Sequence, residues 1–194
     1  SSPETGIDPL TAGAYMLIGL QELIAREIPA SEEAVLTIGH FEGGSAANIV
    51  PDTAVLEGTL RTFDAELRAF LMQRIHEVAE GIAKTFRTTI TIEELSSVPA
   101  VINNDEMMEL ALNSVKELDE NVAQIPGFHA MGSEDFAFYN EMVPAVMLGI
   151  GAGVPDQSKW VGQHNPNIMF NEDALPLEAA IYAKVALNWL EKNN

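Results

Sequence analysis

The chain has 194 residues, 47% of them apolar and 20% charged, and it contains no cysteine. That is the composition of ordinary folded domains, and no apolar run reaches the ~20 residues a membrane-spanning helix needs. Ten basic against 29 acidic residues give a net charge of −19, which argues against nucleic acid as a partner; without cysteine, disulfides and thiolate metal sites are excluded, which suits a cytoplasmic protein.

The start, Ser1-Ser2-Pro3-Glu4, has neither the basic nor the hydrophobic region of a signal peptide, and no initiator Met. The expectation is a chain that begins at a processing site or a break. Asp8-Pro9 then predicts a helix, since Asp is a good N-cap and Pro suits the first helical position. Leu10, Ala14, Leu17, Ile24 and Ile28 follow at helical spacing, up to Pro29. Residues 35–41 read as a strand, 42–52 as a loop and 54–62 as a second strand. In the second strand Ala54, Leu56 and Leu60 share one face, and Glu57, Thr59 and Arg61 the other. Asp64 caps a second helix with an apolar stripe of Leu67, Phe70, Leu71, Ile75, Val78 and Ile82, and residues 88–95 predict a further strand carrying Ile90 and Ile92. One more strand before Ser1 would complete a ferredoxin-like βαββαβ unit. Residues 1–96 are therefore expected to form an α+β domain that lacks its first strand.

Residues 96–104 read as a linker. Beyond it the pattern predicts a helix over 105–118, a Gly/Ser/acidic loop at 131–136, a short strand at 144–149 and a Gly-rich loop at 149–153. A last helix starts near Asn171 and turns Ala174, Leu177, Ile181, Val185 and Leu190 inward. One strand and two helices do not enclose a core, so residues 97–194 are expected to complete a larger α/β layer.

Three constellations carry chemistry. The first is the loop from Gly43 to Asp52 with Asn48 in it, followed by Arg61. Glycines let backbone approach a ligand, Asn both donates and accepts, and Arg offers a planar fork for a carboxylate. From the residues alone the commoner explanation is turn chemistry, with the Gly-Gly and Pro-Asp pairs shaping a connection and Arg61 paired to Glu57. The second is Met131-Gly132-Ser133-Glu134-Asp135-Phe136, where Glu134 and Asp135 either orient a metal ligand or accept hydrogen bonds from helix amides, or else Ser133 or Asp135 caps a short helix through Tyr139. The third is His164 in a long loop between Gly149 and Asn171, either a divalent-metal ligand or a surface histidine. A site built within the chain from His129, Glu134, Asp135 and His164 fits no known metal spacing. The fingerprints of phosphate, dinucleotide and serine-nucleophile sites are missing, as is His-Glu-x-x-His.

At these places the sequence resembles the M20 family of metallo-aminohydrolases, in the branch of hippurate hydrolases, N-acyl-amino-acid deacetylases and auxin-conjugate hydrolases. The matching stretches are SSPETGIDPL, TIGHFEGGSAANIVPDTAVLEGTLRTFD, MGSEDFAFY and QHNPNIMFNEDAL, in the family's order. The resemblance implies a catalytic α/β domain holding two divalent metals, usually zinc or manganese, with a ferredoxin-like lid through which the protein forms a homodimer. Residues 1–96 would be lid, and residues 97–194 the end of the catalytic domain. His164 matches the last metal-binding histidine. Asn48 and Arg61 match lid positions that contact substrate, Gly149 and Gly151 a glycine segment lining the pocket, and Glu134 and Asp135 a motif at the active-site edge.

The family's His-x-Asp motif, bridging ligand, paired-Glu motif and lid histidine have no counterpart in this chain. They are expected upstream of Ser1, in a missing N-terminal catalytic segment, so this chain is expected to be inactive by itself. The leading reading is a metal-dependent amidohydrolase acting on an N-acyl amino acid or small peptide. The alternative is a non-enzymatic dimerisation fragment, or a metal-free relative acting through self-association.

Overall fold

The computed structural model describes residues 2–125, 127 and 129–193. The chain is a mixed α/β fold that divides into two compact units, one of residues 2–100 together with Met131–Ser133, the other of residues 101–130 and 134–193.

In the first unit, helix α1 spans Pro9–Glu22 and continues as a π-helical turn over Leu23–Glu27. Its start is fixed as the sequence predicts. Asp8 Oδ1 accepts from the N–H groups of Leu10 (2.9 Å) and Thr11 (3.3 Å), satisfying donors that have no partner within the helix. The Thr11 hydroxyl adds a 2.6 Å bond to Oδ2 and holds the Asp8 carboxyl below the ordinary carboxylate range. The buried stripe differs from the predicted one. Of the predicted stripe, Leu10, Leu17, Ile24 and Ile28 are half-buried, with Ile24 and Ile28 packed on the core, and Ala14 is exposed, while Ala12, Gly13, Leu20 and Leu23 are the fully buried positions. The reason is close approach. A Cβ on Gly13 would stand 2.8 Å from the Phe41 ring, and one on Gly19 would stand 2.6 Å from Ile82 Cδ1, so glycine turns these positions into contact surface.

Strands β1 (Ala34–Gly43) and β2 (Ala54–Thr62) pair antiparallel from Ala34 opposite Thr62 to Gly43 opposite Ala54, with a bulge at Gly39. Helix α2 (Ala65–Phe86) begins where Asp64 Oδ1 accepts from Leu67 N–H at 2.6 Å. It ends at Arg87, the one described non-glycine residue with positive φ. Leu20, Leu23 and Leu71 form the buried centre, with Met16, Leu36, Ile38, Leu60 and Ile75 packed around them. Each such leucine contributes on the order of 2 kcal/mol. Arg74 ties the π-helical turn to α2, donating to Glu27 from Nε (2.6 Å) and Nη2 (2.8 Å) and also bonding Glu77.

Residues 88–95 are not part of the sheet, which has two strands. Their side chains alternate between half-buried and exposed from Thr88 to Glu93, as in a strand. Yet among the described residues 89–101 make no backbone–backbone hydrogen bond. A strand exists only through a neighbour's N–H and C=O groups. No such neighbour lies beside residues 89–101 among the described residues. Arg68 instead anchors the segment, through Glu94 at 2.5 Å and the Ser97 hydroxyl.

In the second unit, α3 (Asp105–Leu118) is capped by Asn104, whose Oδ1 accepts from Met107 N–H at 3.0 Å. It packs against α5 (Ala174–Asn193), and a short α4 (Ala137–Met142) lies between them in the chain. Ser114, fully buried in α3, donates to Leu110 O and accepts from Asn188 of α5 at 2.9 Å. Residues 144–149 do not ladder either. The segment is extended, with residues 146–154 alternating between half-buried and exposed, and its hydrogen bonds go mainly to asparagine side chains.

Candidate functional site

Arg61 is placed near the end of β2 and is half-buried. It does not pair with Glu57. That carboxylate faces across the sheet to His40 Nδ1 at 3.0 Å, in the register that follows the Gly39 bulge. Arg61 Nη1 instead donates to the main-chain carbonyl of Met131 at 2.6 Å. This bond spans 70 residues of sequence and joins the strand arginine to the Met131-Gly132-Ser133 segment, which belongs to the same compact unit. The guanidinium has no carboxylate partner among the described residues, although acids outnumber bases almost three to one. Its remaining N–H groups are free to take an anion. Asn48 lies on an exposed turn closed by Ile49 N–H donating to Ala46 O at 3.3 Å, and its amide makes no bond within the described residues.

Helix α4 begins after Phe136 with no side-chain cap. Glu134 Oε1 accepts from Phe136 N–H at 3.3 Å, and Glu134 O accepts from Ala137 N–H at 3.2 Å, leading into α4. Asp135 is exposed and uses its main-chain carbonyl, not its carboxylate, to bond Phe138 N–H. Ser133 makes no cap.

His164 is exposed on a turn in which Asn165 N–H donates to Gly162 O at 2.9 Å. The loop that carries it is more ordered than its Gly, Pro and Asn content predicts. A bridge between Gly153 and Phe170 closes its base, helped by Asn171 N–H donating to Ala152 O at 2.8 Å. A single helical turn, Gln157–Lys159, leads to Trp160, whose Nε1 donates to Val154 O at 2.7 Å. The indole lies against Gly153, where a Cβ would meet Cζ2 at 2.8 Å. Gly149 and Gly151 differ from Gly153. A Cβ at either meets nothing within 4 Å, and neither has a positive φ. Nothing among the described residues requires glycine there.

No three His, Asp or Glu side chains among the described residues are grouped to hold a metal ion. His129, Glu134, Asp135 and His164 are therefore not brought together as one centre. The His164 imidazole makes no hydrogen bond within the described residues, and these residues do not supply a complete metal centre. A groove between α3 and α5 is no better candidate. Both its lysines are already paired, Lys184 with Glu117 at 2.7 Å and Lys192 with Glu106 at 2.8 Å, and each holds its glutamate below the ordinary carboxylate range. No helix of the described residues is long and apolar enough to cross a membrane. Sequence reasoning missed Asn103, Asn140 and Trp160, because each acts through main-chain groups that no side-chain pattern marks.

Comparison with known proteins defines the class. Residues 5–188 match the model of peptidase family M20/M25/M40; the chain belongs to this family. It is 32% identical to the hippurate hydrolase of Campylobacter jejuni, over 98% of this chain and 49% of that protein. It is 30% identical to an N-acetylcysteine deacetylase of Bacillus subtilis, over 97% of this chain and 48% of that protein. Among solved structures, the Bacillus subtilis YXEP protein, described as a dinuclear metal binding peptidase from the M20 family, superposes with a TM-score of 0.78 at 28% identity, covering 95% of this chain and 47% of that one. The chain thus spans about half the length of the curated relatives it matches.

Proposed function

We propose that these residues are the lid and the closing catalytic segment of a metal-dependent amidohydrolase that cleaves the amide bond of N-acyl amino acids or small peptides. Residues 1–96 form a ferredoxin-like lid through which the enzyme dimerises, and residues 97–194 complete the catalytic domain. The observation that carries this reading is Arg61, a half-buried cation with one neutral partner and no carboxylate among the described residues. A free amino-acid carboxylate fits that fork with two parallel hydrogen bonds. Asn48, in the loop at the other end of the hairpin from Arg61, offers substrate a separate donor and acceptor, and we assign Gly149 and Gly151 to the pocket lining and Glu134 and Asp135 to its edge by the family resemblance. The names of the hippurate and N-acetylcysteine relatives support the N-acyl amino acid class.

His164 contributes one ligand to a divalent metal centre, zinc or manganese, whose other ligands and general base come from outside residues 2–193. A metal held there polarises the scissile carbonyl and lowers the pKa of bound water. This chain's share of the work is to bind and orient substrate, and alone it is inactive. The absence of cysteine accords with a cytoplasmic location. The test is a substrate panel with the full native chain, comparing N-benzoylglycine, N-acetylcysteine and a dipeptide. Release of the free amino acid from any of them supports the proposal, and no hydrolysis with zinc or manganese supplied refutes it. A second reading, a non-enzymatic association module, draws on the two-stranded sheet, whose outer edges lack ladder partners and are open to strand pairing. Self-association without hydrolysis would establish it.

A further inference from the structure

We infer that Asn103 and Asn140 are positioning residues, which set the placement of the extended segment running into Gly149 and Gly151. Asn103 Nδ2 donates to Met147 O at 3.0 Å, and Met147 N–H donates to Asn103 Oδ1 at 2.8 Å. One side-chain amide thereby engages both main-chain groups of one residue 44 positions away, as a neighbouring strand would. Beside it Asn104 N–H donates to Ala145 O at 3.0 Å. From α4, Asn140 Nδ2 reaches Ile102 O at 2.8 Å and Ala145 O at 3.3 Å, bracing both sides of the seam.

Ordinary turn and cap chemistry does not account for this pattern. Asn104 is the cap of α3, while Asn103 caps nothing and bonds Met147 through both ends of its amide. With both ends of one amide on a single residue, any small shift of the segment stretches or breaks both bonds at once. Asn103 therefore fixes Met147, and with it Gly149, two residues or about 6.6 Å further on. Asn140 Oδ1 is buried without a partner among the described residues, so it is an acceptor with room for one further N–H or O–H donor at the same seam.

The catalytic consequence rests on the function proposed above, and the test separates the two. Asn103→Leu in the full native chain removes both bonds at similar volume, and Asn103→Ser removes them without added bulk should the leucine variant fail to fold. With N-benzoylglycine, kcat is expected to fall about tenfold with KM within twofold, since misplaced lining residues cost rate more than affinity. Amide exchange at residues 145–151 is expected to quicken at least tenfold while α3 and α5 keep their protection. Unchanged exchange in both variants overturns the inference, and so does kcat within twofold of an active wild type. If the wild type hydrolyses none of the panel, the functional proposal falls, and the exchange result alone decides whether Asn103 holds this segment.

Discussion

Replacing Arg61 by alanine probes the proposed carboxylate grip. The guanidinium spends one 2.6 Å bond on the Met131 carbonyl and has no charged partner among the described residues. A carboxylate docking on its free N–H groups forms two charge-assisted bonds, together worth about 3 kcal/mol in a half-buried setting. Arg61→Ala in the full native chain should then lower kcat/KM roughly a hundredfold for N-benzoylglycine. The control is the matching N-benzoylglycinamide, which has no carboxylate to grip, so wild type and variant should handle it within about twofold of each other. The fold should lose only the Met131 bond, about 1 kcal/mol, read as a small drop in Tm. If the variant lowers kcat/KM equally for both substrates, or for neither, Arg61 does not bind the carboxylate.

Leu71→Ala should cost about 3 kcal/mol in urea unfolding, because Leu71 is fully buried against Leu20 and Leu23 and its loss leaves a cavity; a loss below about 1 kcal/mol would mean that this centre collapses freely. Acid should loosen the first unit. Arg74 lowers the Glu27 carboxyl, and Gln73 followed by Arg74 lowers Glu77. Folded pKa values below the unfolded ones give a contribution that is complete above about pH 4.3 and is lost as the pH falls through the folded values. Arg74→Met should flatten that acid limb of a Tm-against-pH curve. Gly153→Ala should displace the Trp160 indole, seen as a shift in tryptophan emission, because the new methyl would stand 2.8 Å from Cζ2. Gly151→Ala meets nothing within 4 Å, so its Tm should hold while kcat/KM on N-acyl amino acids falls; unchanged kinetics would remove Gly151 from the site.

Much of the fold was legible from local chemistry. Asp8 and Asp64 cap the helices that their positions predict, and α3 begins and ends where its pattern does, at Asp105 and Leu118. The paired strands were legible too, because their ladder lies wholly within the chain. The strands expected at 88–95 and 144–149 were not realised, since period-2 alternation reports burial while a strand also needs a neighbour. The buried stripe of α1 was misread because Gly13 and Gly19 gain their packing from partners far away in sequence. At the site, Arg61, Asn48, Glu134 and His164 stood out by residue type, but their partners did not. Arg61 turns to a main-chain carbonyl 70 residues away, and the cap expected of Ser133 or Asp135 is not made, since α4 starts without a side-chain cap. Bonds to main-chain groups leave no trace in composition or spacing.

The central claim, a metal-dependent amidohydrolase, is tested most directly by hydrolysis of N-benzoylglycine by the full native chain before chelation, after chelation and after return of zinc or manganese. The account predicts hydrolysis that is lost with the metal and restored on its return. Hydrolysis that continues undiminished in the chelated protein, or no hydrolysis in any metal state, would contradict it.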